Sequence, residues 1–134
     1  MSPESLRTAG ILLITVTAVA FGGYTLLTSI VKKVPGYMDN PTRRALWTAG
    51  HAHAGVLVLF ALVAMIYVDQ VDYSAGMKTL VRALITAAPI LMPLGFFLSI
   101  ARATDTRPGR LIGLTYLGGL CLAAGTLLLG IGLL

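Results

Sequence analysis

Four long runs without a charged residue dominate the chain: Thr8–Val31, Ala45–Val68, Ala83–Ala101 and Leu111–Leu134. The first, second and fourth have 24 residues each and the third has 19, against the roughly 20 that an α-helix needs to cross the hydrocarbon of a bilayer. A backbone in hydrocarbon must satisfy its own polar groups, so runs of this kind read as transmembrane helices. They take up 91 of the 134 residues, and the segments between them are too short for a soluble domain. With 57% hydrophobic and 11% charged residues, a soluble globular domain is excluded. The expected fold is an all-α, integral membrane four-helix bundle in one domain, its helices over about 8–31, 42–68, 77–101 and 111–134, with the lipid bilayer as its solvent.

The net charge of +5 reflects topology and does not point to nucleic acid. Loop one carries Lys32, Lys33, Arg43 and Arg44, and loop three carries Arg102, Arg107 and Arg110, seven basic residues at one end. The other end has Arg7, Lys78 and Arg82, offset by Glu4, Asp69 and Asp72. The positive-inside rule puts loops one and three in the cytoplasm and both termini outside, as in a protein of the bacterial inner membrane. Asp69, Asp72, Lys78 and Arg82 read as interfacial anchors and solvated loop charges. Met1–Phe21 has the features of a signal peptide, with Arg7, an apolar core and Ala18-Val19-Ala20. The apolar run continues through Tyr24–Val31, so it reads as a retained helix. Cys121 is the single cysteine; it implies no disulfide and reads as a packing residue.

Several local features qualify the helices. Gly22-Gly23-Tyr24 in the first offers a small-residue gap beside an aromatic. Loop one has two turn signals, Pro35-Gly36-Tyr37 and Asp39-Asn40-Pro41, and the second suits a cap with proline in the first helical turn. Helix three contains Pro89 and Pro93, followed by Gly95-Phe96-Phe97, which suggests either a helix bent around a ligand or a kink that serves the bundle. Helix four, with Gly113, Gly118, Gly119, Gly125, Gly130 and Gly132, predicts close helix contacts and a subunit interface.

The chemistry concentrates in helix two, which holds the only histidines, His51 and His53. An ionisable side chain inside a membrane span is costly unless paired and is a functional residue by default. Counting 1.5 Å per residue from the basic end, His51 lies about 10 Å deep, Tyr24 about 12 Å, Phe97 about 8 Å and Tyr116 about 9 Å, so they share one layer. Residues two apart on a helix point about 200° apart, so the two imidazoles do not ligate one metal ion. No Cys, Asp or Glu in the layer completes such a site. Haem fits better. It needs one axial imidazole, small residues such as Ala49, Gly50, Ala52, Ala54 and Gly55, and apolar walls such as Phe96 and Phe97. Its propionates would reach the basic layer, where Arg44 and Arg102 suit carboxylates. A histidine pair without a cofactor and a proton relay are the other readings of these residues.

Between Gly10 and Leu98 the chain resembles the styrene oxide isomerases, small four-helix membrane proteins that bind haem b. The resemblance rests on Pro35-Gly36-Tyr37 after helix one and Trp47 opening helix two. It also rests on Ala52-His53-Ala54-Gly55 against the family's Ala-His-Ser-Gly, and Gly95-Phe96-Phe97-Leu98 against Gly-Phe-Tyr-Leu. Matching on Ala-His-small-Gly makes His53 the axial ligand, whereas matching on the distance from Trp47 makes it His51. The resemblance implies a homo-oligomer, a trimer with haem near a subunit interface, and a ferric haem acting as a Lewis acid on small apolar epoxides. The epoxide opens at the benzylic carbon and a hydride shift gives the aldehyde. The sequence departs from the family pattern where Phe97 replaces its tyrosine and where Leu59 (or Leu57) and Pro93 stand for two asparagines. Tyr116 and Tyr24 are the candidates to supply the missing catalytic hydroxyl.

Three functions therefore compete. The first is a haem-dependent membrane isomerase of small apolar epoxides, and the second a membrane haem protein for electron transfer or sensing. The third is a cofactor-free structural subunit whose histidines join helices.

Overall fold

The computed structural model describes all 134 residues. It contains α1 (Pro3–Val31), α2 (Pro41–Val68), α3 (Ala75–Leu98) and α4 (Gly113–Leu133), the last preceded by a 3₁₀ turn at Arg110–Ile112. All four helices are long and apolar enough to cross a membrane. Their starts follow from capping. The side chains of Ser2, Asn40 and Ser74 accept the backbone N–H groups of Ser5, Arg43 and Met77. Pro3 and Pro41 occupy first-turn positions where no N–H is needed.

The boundaries differ from the charge-free runs for local reasons. The Ser2 cap starts α1 at Pro3, five residues ahead of Thr8, with Glu4 favourably placed in the first turn. At its other end Lys33 takes a left-handed conformation (φ 48°) and the Val34 N–H bonds to the Ser29 carbonyl, a Schellman closure. Gly36 also has positive φ (76°), and a side chain there would run into Ala103. α3 ends at Leu98, ahead of Ala101, because the Ser99 carbonyl accepts the Gly109 N–H (2.6 Å) and turns the chain into loop three. Pro89 and Pro93 are buried in a helix that continues through both.

The helices pack in chain order: α1 on α2, α2 on α3, and α3 most extensively on α4, while α2 and α4 barely touch. Glycines explain the closest pair. Gly118 and Gly125 present their backbones to α3, and Gly132, seven residues on, to Tyr73 of the preceding loop. A methyl group at Gly118 would sit 2.8 Å from the Met92 nitrogen. These three glycines are used inside one chain, whereas Gly113, Gly119 and Gly130 of the same helix face open space. The core joins Val58, Ala61, Met65 and Val68 of α2 to Val81 and Ile85 of α3, with Leu12 of α1 and Leu129 of α4 at its edges.

The end near loop two is closed by a polar lock that corrects the reading of Asp69 and Arg82 as solvated anchors, while Asp72 is exposed as expected. Arg82 pairs with Asp69 at 3.0 Å. The Arg82 Nε donates to Ser5 Oγ (2.9 Å), and the Ser5 hydroxyl and the Ser2 N–H donate to the carboxylate. Arg82 is only 9% exposed, because it lies inside α3 where the start of α1 covers it. Burial alone would raise the Asp69 pKa. The Ser2 N–H, the Arg82 guanidinium and the Ser5 hydroxyl outweigh it and hold the carboxyl well below the ordinary carboxylate range.

Candidate functional site

The site is built downward from the opposite end, where loops one and three clasp each other. The Asn40 amide donates to the carbonyls of Ala103 (3.1 Å) and Asp105 (2.8 Å). Arg43 donates to the carbonyls of Gly36 (3.0 Å) and Ala101 (2.9 Å), and its guanidinium lies 4.0 Å above the Trp47 ring. Trp47 in turn sits between Tyr37 and Phe97, each 6.0 Å away. Of the basic residues expected to meet carboxylates, Arg44 gives one N–H to the Met38 carbonyl (3.4 Å). Arg102 is exposed, and only its backbone is engaged, its N–H donating to the Asp105 carboxylate and its carbonyl accepting the Asp105 N–H.

Below this clasp the two histidines leave α2 on different faces. The His53 ring packs on Phe96 of α3 at 5.1 Å, and its Nδ1 lies 2.7 Å from the Ala49 carbonyl one turn earlier. A carbonyl only accepts, so Nδ1 carries the hydrogen, and in the neutral ring that leaves the lone pair on Nε2. Metal-bound imidazoles have this arrangement, the far nitrogen held by a carbonyl that fixes the tautomer. His51 faces α1. Its ring lies against the backbone of Gly22 and Gly23, where a methyl group at Gly23 would be 3.0 Å from Nε2.

The candidate residues therefore divide. Gly55, one turn after His51, faces Val19 of α1 and belongs with His51. Phe97 lies against Trp47 and Gly50, while Phe96 is the ring beside His53. Tyr24 (66% exposed) and Tyr116 (70%) lie on the outer faces of α1 and α4 and hydrogen-bond to nothing within the chain, so one chain does not bring them to either histidine. The Ala49 carbonyl was not singled out from the sequence, although a histidine four residues after any helical carbonyl is placed to bond to it.

Along the face of α2 that carries His53, one to two turns on, α2 and α4 border a cavity of about 360 Å³ lined by Val56, Phe60, Gly119 and Ala123. Its one hydroxyl, Thr126, donates to carbonyls of its own helix. Neither His53 nor Phe96 lines this cavity; what the chain offers a haem is one imidazole with an unengaged nitrogen beside an aromatic ring. No protein family, characterised protein or solved structure matches the chain.

Proposed function

We propose that the chain is an integral membrane protein that binds haem b through His53 and isomerises small apolar epoxides to carbonyl compounds. Loops one and three lie in the cytoplasm, by their excess of basic residues. The observation that carries the reading is the hydrogen bond from His53 Nδ1–H to the Ala49 carbonyl, which leaves Nε2 as a ligand nitrogen. When bound, a ferric haem with an open position supplies a Lewis acid that polarises an epoxide oxygen.

The rest falls to the chain. His53, held by Ala49 and Phe96, would supply the ligand nitrogen. The apolar α2–α4 cleft keeps out water that would trap a cation. An internal hydride shift needs no proton donor from the protein, and the cleft offers none, since the Thr126 hydroxyl is already engaged. The open outer side of the cleft is where a second copy sits in the trimer implied by the resemblance. A second reading, haem electron transfer, draws on the other imidazole, His51, which stands on the opposite face of α2.

The test is an absorption spectrum of the detergent-purified protein, oxidised and then dithionite-reduced. A high-spin ferric Soret band that shifts on adding an epoxide supports the isomerase. Sharp low-spin bands indifferent to ligand favour electron transfer. A colourless protein from haem-replete cells overturns both.

A further inference from the structure

His51 is not explained by the site at His53. It borders a separate cavity of about 300 Å³ between α1 and α2, whose other walls include Val19, Ala20, Gly23, Gly55 and Leu59. The glycines of α1 cut back that helix where the imidazole lies. No hydroxyl of α1 is among the walls of this cavity. Thr15, Thr25 and Ser29 donate to the carbonyls of Ile11, Phe21 and Thr25 in their own helix. The imidazole itself makes no hydrogen bond in the chain. It carries one donor and one acceptor in either neutral tautomer, and a polar group in dry surroundings without a partner costs free energy.

We propose that His51 is the polar anchor of a second binding site, which takes a small apolar molecule carrying one hydroxyl or carbonyl oxygen. The cavity is at the small end of the range for ligand sites, which suits a single ring or a short chain. Its walls offer no other side-chain polar group, so the ligand is polar at one end only. A lipid acyl chain would fill the groove but leave the imidazole unpaired. The inference rests on the membrane placement proposed above, which keeps the groove dry, and not on haem.

The experiment titrates fluorobenzyl alcohol into the protein in nanodiscs, followed by fluorine NMR of the probe and nitrogen NMR of labelled histidine. A saturable shift is expected, with the His51 ring nitrogens moving and those of His53 not. Affinity falls at least tenfold in Gly23→Leu, which displaces the ring, and in His51→Phe, and is unchanged in His53→Ala. A shift that grows linearly with probe, or that persists in His51→Phe, overturns the site. Loss of haem in His51→Phe would overturn it too, by making His51 the iron ligand. Release of the protein from membranes by alkaline carbonate would remove the placement itself, a failure distinct from the others.

Discussion

The two faces of α2 carry the same side chain two residues apart and treat it differently. On the α3 face, His53 has one nitrogen fixed by the Ala49 carbonyl and its ring held against Phe96. On the α1 face, His51 rests on bare glycine backbone with neither nitrogen bonded within the chain. One imidazole is oriented with a single nitrogen free, as a metal ligand is; the other is free at both and suits a hydrogen-bonding ligand. A histidine's environment, and not its depth, separates the two roles.

Each face depends on a different neighbour, so the faces are separable by mutation. Gly118→Leu drives a side chain into the Met92 backbone and pushes α4 from α3. It is expected to cost about 3 kcal/mol in SDS-induced unfolding followed by circular dichroism, and to lower haem content while leaving the α1 face intact. Asp69→Asn removes the partner of buried Arg82 at the start of α1. It is expected to cost about 2–3 kcal/mol and to loosen the His51 face, with the Soret band unchanged. Equal damage to both faces from either variant would break the distinction.

Acid probes the same lock without mutation. The Asp69 pKa is depressed in the fold, so its contribution is fully present above the unfolded carboxylate value of about 4. It is lost as pH falls below that value through the folded one. Unfolding measured from pH 7 to pH 2 should be flat with respect to this group above about pH 5 and weaken below about pH 4. Asp69→Asn should remove that acid-dependent part. The smallest effect is expected from Gly50→Ala, whose methyl would lie 3.0 Å from Phe96 Cβ and 3.2 Å from Phe97 Cε2. A cost of about 1 kcal/mol should accompany a displaced Soret maximum, since Phe96 supports His53.

Much of the fold was legible because charges are excluded from hydrocarbon and mark its limits. The same rule hid the start of α1, where Glu4 and Arg7 lie within the helix beside the Ser2 cap. Arg82 looked like a solvated anchor because its partners, Ser2, Ser5 and Asp69, come from other segments, which no local pattern reveals. The seven-residue spacing of Gly118, Gly125 and Gly132 was visible, but not that it faces the chain's own α3 and loop two. The 100° turn per residue separated His51 from His53. It could not say which histidine met α1, since α2 is apolar on every side. Phe96 and Phe97 were likewise indistinguishable until Trp47 was seen to take Phe97.

The central claim is that His53 alone ligates haem, and its most direct test is the haem content of His53→Ala and His51→Ala purified side by side. Haem per protein, read as the pyridine haemochrome, should fall at least tenfold in His53→Ala and stay within about twofold of the parent in His51→Ala, tenfold corresponding to about 1.4 kcal/mol in binding. Haem retained in His53→Ala and lost in His51→Ala would contradict the assignment and move the ligand to the α1 face.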